Sequence, residues 1–373
     1  MTLLRRLSSG PAVVWLLAAC LLGAGRSPLQ SPSALDRFQQ WLKVIEVHRP
    51  GDPGLTVVDV STWTGEELES VVAEAKRYAR SRAKTDAEGA NQILLQGAAL
   101  HADIGRLVPE DNVRRSPNQK TAYIARDGRW IGIRYVSMHW QLGRALLDSV
   151  VPDPSSHPGV RAWYVETSAD LLRLRQSAAA ADHLARARQL FPTDASILFG
   201  SGLLHEMFAS ASLQAAAGSV QESNRTSAAV STAQGELVRA ERFFREALIH
   251  RPDHVEARVR HGRVLDDLKR HDAAAEELRR AIADGAGEHL LYLAHLFLGR
   301  AEEARGRDNA ARAAFERASA LYPNAQSPRL ALSQMARRAG DRAAAQRELG
   351  AIAALPRDER SREDPWWLYY DVR

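Results

Sequence analysis

Between Tyr292 and Ala325 small and apolar residues recur at helical spacing in two runs separated by a polar break. Leu298-Gly299 marks the first run, and Ala311, Phe315 and Ala318 mark the second, which stops at Pro323. Residues three or four apart share a helix face, so each run predicts one helix with one buried face. Proline cannot continue the hydrogen-bond ladder and ends the second helix. The same register continues downstream through Leu332, Ser333, Ala345, Leu349 and Ile352. Upstream it runs through Gly262, Leu265, Ala274, Leu278 and Ala281, then through Ala240, Phe244, Ala247 and Pro252, whose partner helix is Ala195 to Ala209 with Gly202. An earlier copy holds Trp163, Tyr164, Ala180, Leu184, Ala187 and Pro192.

This spacing resembles the tetratricopeptide repeat (TPR), a helix–turn–helix unit of about 34 residues with an L-G pair, A-x3-F and a terminal proline. The resemblance implies an all-α, TPR-type α-solenoid of antiparallel helix pairs. Five units are expected, at 161–194, 195–254, 255–291, 292–325 and 326–359. The second carries a loop insert at 210–235, rich in Ser, Ala, Gln and Gly, and the third carries three extra residues around Gly285-Ala286-Gly287. One such unit cannot bury its apolar face alone, so neighbours must stack.

Residues 34–152 are less regular. Leu35–Val47, Thr64 to about Ser81, Asn91–Leu107 and Val136–Val151 read as helices, with Thr64 and Glu67 forming a capping-box pattern. The last two form an atypical repeat-like pair at about 90–152, interrupted by residues 108–135. Within that interruption, Asp127-Gly128 between β-branched and aromatic residues predicts a β-hairpin near 121–133. The hairpin reads either as a decorated loop shielding one face or as a flap that touches a ligand. The tail at 360–373 holds Trp366, Trp367, Tyr369 and Tyr370. Four aromatics in five residues are expected to fold back and cap the exposed end of the last repeat. The other readings make the tail a docking peptide for a partner or for the groove of a second copy.

The first 25 residues read as a signal peptide: Arg5 and Arg6 precede a charge-free apolar run from Ala12 to Gly25 that is too short to span a bilayer. Small residues up to Gly25 suit cleavage before Arg26. Leu17-Ala18-Ala19-Cys20 also resembles a bacterial lipobox, which would end the signal at 19 and make Cys20 a lipidation site. The expected location is therefore periplasmic or secreted, or lipid-anchored to the envelope. The net charge is +5, and the targeting segment carries two of those charges and no acid. A nucleic-acid binder would cluster far more Lys and Arg on one face, so none is expected as a partner. Arg outnumbers Lys and Ala is abundant, a bacterial coding hint.

Little in the sequence supports catalysis. Cys20 is the single cysteine, so the mature chain has no disulfide. His205-Glu206 begins a zinc-protease pattern, but Ala209 stands where the second histidine belongs. His250 and His254 straddle Pro252. His101, Asp103 and His139 converge only if the two repeat-like N-terminal helices pair. No P-loop, nucleophile elbow or dinucleotide fingerprint occurs. No cofactor, metal or catalytic residue is assigned. The TPR resemblance instead implies a peptide or protein partner held in the concave groove. Carrying over the family's groove positions gives Arg263, Asp266, Asp267, Leu296, Arg300, Glu303, Gln334 and Arg337. Arg263 and Arg300 share a repeat position and could grip carboxylates, or could pair with Asp266, Asp267 and Glu303 on their own surface. The alternative function is an enzyme or small-ligand receptor with its site between 34–152 and the groove.

Overall fold

The computed structural model describes residues 33–50, 60, 63–106, 114–115, 121–126, 129–134, 136–210, 232–355 and 363–370. The expected signal peptide with Cys20, most of the expected insert (211–231) and the Asp127-Gly128 turn signal lie outside them. The described chain is a succession of helices with one small sheet. Helices α1 (Ala34–Val47), α2 (Gly65–Arg82) and α3 (Ala87–Arg106) come first. Strands β1 (Arg114–Arg115), β2 (Thr121–Arg126) and β3 (Arg129–Arg134) follow, and α4 (Val136–Leu147) closes the N-terminal region. Five helix pairs complete the chain: α5 (Pro158–Arg173) with α6 (Ser177–Leu190), α7 (Ala195–Phe208) with α8 (Ala233–His250), and α9 (Val255–Asp267) with α10 (His271–Ala283). The last two are α11 (Glu288–Ala304) with α12 (Asp308–Leu321), and α13 (Ser327–Arg338) with α14 (Arg342–Ala353).

Local chemistry sets the ends of these helices. Thr64 caps α2 as expected: the Glu67 amide donates to Thr64 Oγ1 (3.2 Å), and the Thr64 amide donates to Glu67 Oε2 (2.7 Å). Arg37 on α1 donates to the same Glu67 carboxylate at 3.0 Å, tying α1 to α2. The hairpin is antiparallel, pairing Thr121 with Arg134 and Arg126 with Arg129, so the Asp127-Gly128 signal falls between its strands. β1 adds a short third strand against β2.

Packing within the pairs explains the repeat pattern. A Cβ on Gly202 would lie 2.5 Å from the Phe244 ring, on Gly262 2.6 Å from Leu278, and on Gly299 2.5 Å from Phe315. Each of these three pairs thus brings its first helix onto the ring or branched side chain of its second, where glycine leaves the room. Four first helices close alike. Arg175, Lys269, Gly306 and Gly340 have positive φ, and the next amide bonds back five residues, as in Gln176 to Leu171 and Arg307 to Glu302. That is the Schellman closure.

Four expectations need correction. The insert is shorter than 210–235, because Thr232 caps Gly235 at 3.1 Å and α8 already begins at Ala233. The fourth unit starts at 288 rather than 292, because Gly285 turns at positive φ and Gly287 takes the N-cap position of α11. Helix α4 ends at Leu147, not Val151, because the Asn91 side chain takes both the carbonyl (2.7 Å) and the amide (3.0 Å) of Val151. In the last pair Leu349 is half exposed instead of filling the inter-helix space.

The largest correction concerns the tail. Residues 363–370 do not cover the outer end of α14. They form a turn of 3-10 helix at Pro365–Leu368 and lie against α11. Tyr369 joins one core cluster with Val259, Leu293, Leu296, Phe297 and Met335.

Candidate peptide groove

The first helices of successive pairs, α7, α9, α11 and α13, each contribute a group that meets the tail, and these contacts define the candidate groove. The α7 stretch from Ile197 to Phe208 is apolar apart from a few positions, one of which is Glu206. Its carboxylate is 1% exposed and accepts from Arg260 Nη1 at 3.1 Å and Arg263 Nη1 at 2.6 Å, both on α9. An isolated carboxylate at that depth would be strongly disfavoured, so two guanidinium groups must accompany it.

The tail completes this cluster. Tyr369 donates its hydroxyl to Glu206 Oε1 at 2.5 Å. Arg260 Nη2 donates to the Tyr369 carbonyl at 3.1 Å, and Arg263 Nη2 donates to the Tyr370 hydroxyl at 2.8 Å. Both guanidinium groups also lie over the Tyr369 ring, 4.4 and 4.6 Å from its centroid, within cation–π range. Phe297 of α11 meets Trp366 and Tyr369 edge-on at 5.6 and 5.3 Å.

Titration follows from this burial. Burial, reinforced by Glu206, pushes the Tyr369 phenol well above its usual range, so the hydroxyl stays a donor. Burial works against a charged Arg263, but Tyr369, Glu206 and Tyr370 outweigh it and hold the guanidinium well above its ordinary value.

A second anchor lies at the other end of the tail. Helix α13 has no cap from its own flank, since Gln326 makes no side-chain capping bond. Asp364 supplies it from 37 residues away, accepting from the Ser327 amide at 2.9 Å and Ser327 Oγ at 2.7 Å. The Gln326 amide adds a bond at 3.1 Å, and Tyr292 donates its hydroxyl to Asp364 at 2.7 Å. A carboxylate on orphan amides at a helix N-terminus is electrostatically favourable.

The carried-over groove residues divide into three groups. Arg263 is buried under the tail, and Leu296 is part of the core beneath it. Asp266, Asp267 and Arg300 pair among themselves: Arg300 Nη2 reaches Asp267 at 3.1 Å and Asp266 at 3.5 Å. Asp266 also meets His271 at 2.7 Å, and Glu303 pairs with Arg338. Within the chain, then, Arg300 is engaged by Asp266 and Asp267, and Arg263 chiefly by Glu206. Gln334 and Arg337 are exposed. Between α7, α8 and the tail an open cleft of about 480 Å³ remains, lined by Ala209, Leu237, Arg263, Asp267, Trp366 and Tyr370.

Glu206 and Arg260 were missed. Glu206 occupies a groove position of the second pair in the same register, so a lone acid in an apolar helix was its signal. Arg260 carried none.

The histidines assemble differently. The Nδ1 atoms of His101 and His139 lie 2.9 Å apart in the buried α3–α4 contact. Burial, then His139, pushes His101 well below its ordinary value. Asp103 goes instead to His48 at 2.9 Å and to Arg106. Among the described residues no three potential metal donors converge, and no helix is long and apolar enough to cross a membrane.

Comparison with known proteins agrees with the repeat. Residues 231–296, from α8 into α11, match the tetratricopeptide repeat family model. No curated protein matches the chain. Among solved structures, one described as MamA MSR-1 C2 is 16% identical, covering 54% of this chain and 98% of that one, with a TM-score of 0.40. MamA 41-end from Desulfovibrio magneticus RS-1 is 21% identical over 55% of this chain and 97% of its own, at 0.41. PilF of Pseudomonas aeruginosa is 18% identical over 54% and 79%, also at 0.41.

Proposed function

We propose that this chain, whose residues 231–296 match the tetratricopeptide repeat family model, is a non-catalytic scaffold that holds an extended segment of a partner protein in its concave groove. The observation that carries the reading is that the groove already holds a peptide segment, its own residues 364–370, through side-chain and carbonyl contacts from α7, α9, α11 and α13. Arg263, Leu296 and Phe297 form the floor. Asp266, Asp267, Arg300 and Glu303 set a fixed charge pattern, and Gln334 and Arg337 extend it over the last pair. A groove of this kind gives recognition by a few fixed anchors rather than by area.

The targeting segment at 1–25 supports export, and we place the scaffold at a bacterial cell envelope. Mass spectrometry of the mature N-terminus decides between a diacylglyceryl-Cys20 and a free Arg26.

Photo-crosslinking tests the groove. A crosslinking residue at Leu330, Gln334 or Arg337 should give partner adducts in cells, whereas one at the exposed Ile249 of α8 should not. Adducts confined to position 249 would move the partner to the outer face. The alternative, a small-ligand site between residues 34–152 and the groove, has the buried His101–His139 contact in its favour. It predicts loss of function on His139→Ala with groove crosslinks unchanged.

A further inference from the structure

We infer that the groove recognises an acidic–aromatic segment of a partner protein, and that residues 364–370 are its in-chain occupant, which the partner must displace. This rests on the groove reading above and adds the ligand's chemistry and its competitor.

The contacts define the ligand atom by atom. A carboxylate sits on the N-terminus of α13 and on the Tyr292 hydroxyl. A proline follows, then an aromatic ring against Phe297. Three residues further on, a phenol donates to Glu206 while its own carbonyl accepts from Arg260. A second phenol then accepts from Arg263. The ring at 367 is 41% exposed and is not part of the recognition pattern. The anchors are therefore Asp-Pro-aromatic and, three residues after that aromatic, Tyr-Tyr.

Two features separate this arrangement from an ordinary core contact. Beneath the aromatic rings the wall carries Glu206, Arg260 and Arg263 with Glu256 and Asp267 beside them, so water can replace the tail where it could not replace a helix of the solenoid. In addition, the tail leaves open the cleft beside Trp366 and Tyr370, so an incoming segment has a place to engage before the tail has left. A tail tethered through residues 354–363 competes at an effective concentration on the order of 1 mM. Only a partner with the same anchors can compete with that.

The test uses the full chain and a fluorescein-labelled peptide of residues 363–373. In the full-length Trp366→Ala/Tyr369→Ala variant the in-chain ligand is disabled and the groove is intact. Anisotropy titration should show binding to this variant and binding at least about 10-fold weaker to the unaltered chain. Peptides carrying Asp364→Asn or Tyr369→Phe should each bind about 10-fold more weakly than the parent, and a scrambled peptide should not bind. Equal binding of parent and scrambled peptides to a folded double variant would overturn the assignment, as would equal binding of the parent peptide to both proteins. If the double variant is largely unfolded, added peptide must restore its helical circular dichroism and a cooperative melt; no restoration makes the tail a core element and ends the proposal. Concentration-dependent dimers of the unaltered chain, lost in the double variant, would assign the groove to a second copy and overturn the foreign partner. Should the peptide fail while crosslinks at Leu330 and Arg337 persist, the groove reading stands and only the acidic–aromatic assignment falls.

Discussion

The hydroxyl of Tyr369 donates to the carboxylate of Glu206 at 2.5 Å across 163 residues of chain. This bond joins the C-terminal tail to the second repeat pair, and Arg260 and Arg263 bracket it on the groove wall.

Removing the phenol oxygen tests that bond. Tyr369→Phe keeps the ring and should cost roughly 1.5–3 kcal/mol, the range for a hydrogen bond to a charged group. Glu206→Ala should cost about 3–5 kcal/mol because it removes the buried carboxylate that both guanidinium groups share and leaves them only the more exposed Glu256 and Asp267. In urea denaturation the double variant should lose less than the sum of the two, since both remove the same bond. Strict additivity would mean that the two groups are not coupled.

Asp364→Ala should free the first turn of α13. The expected cost is about 1 kcal/mol, as for a lost N-cap. Hydrogen exchange locates it: the Gln326 and Ser327 amides should lose protection while α5 and α6 stay unchanged. Equal protection in both proteins would show that the cap is local after all.

Glycines in the fourth pair should respond for different reasons. Gly299→Ala forces a Cβ to 2.5 Å from Phe315 and should cost about 1–3 kcal/mol by overpacking. Gly306→Ala meets no atom within 4 Å but keeps φ near 70°, so its cost of about 1–2 kcal/mol is backbone strain alone. A Phe315→Leu background should relieve the first and not the second. Thermal melts of the four proteins decide this.

Acid should destabilise the first repeat pair through His183. Burial, then Arg144, pushes this imidazole down to about 3, while the carbonyl of Tyr164 accepts its Nε2 proton at 3.3 Å. The sign follows from which state binds the proton. The unfolded side chain titrates near 6.5, so between pH 6.5 and about 3 the unfolded state takes up a proton that the folded state refuses. Stability is full above pH 6.5 and falls as pH drops through that window, by roughly 2 kcal/mol at pH 5. The buried His101 adds in the same direction. In His183→Gln the difference in unfolding free energy between pH 7 and pH 5 should shrink; an unchanged difference would place the titration elsewhere.

Much of the fold was legible because its determinants are local. Thr64 and Glu67 lie within one helical turn of each other, and the spacing of Gly299 to Phe315 spans one helix pair. Asp127-Gly128 placed the hairpin between β2 and β3 for the same reason. Arg263, Asp266, Asp267 and Arg300 were placed on the concave face by register alone. Register did not tell whether they were free or engaged, because that depends on neighbours one full repeat away.

The sequence by itself determined the solenoid: helical period, caps and small-residue positions act over a few turns, and stacking follows from identical faces. Only the tertiary structure decided where the tail goes. Asp364, Tyr369 and Tyr370 find Ser327, Glu206 and Arg263 across 37, 163 and 107 residues, and no local pattern encodes such a meeting. The groove offers a helix N-terminus for Asp364 and a guanidinium–carboxylate cluster for the tyrosines, so the tail lies there.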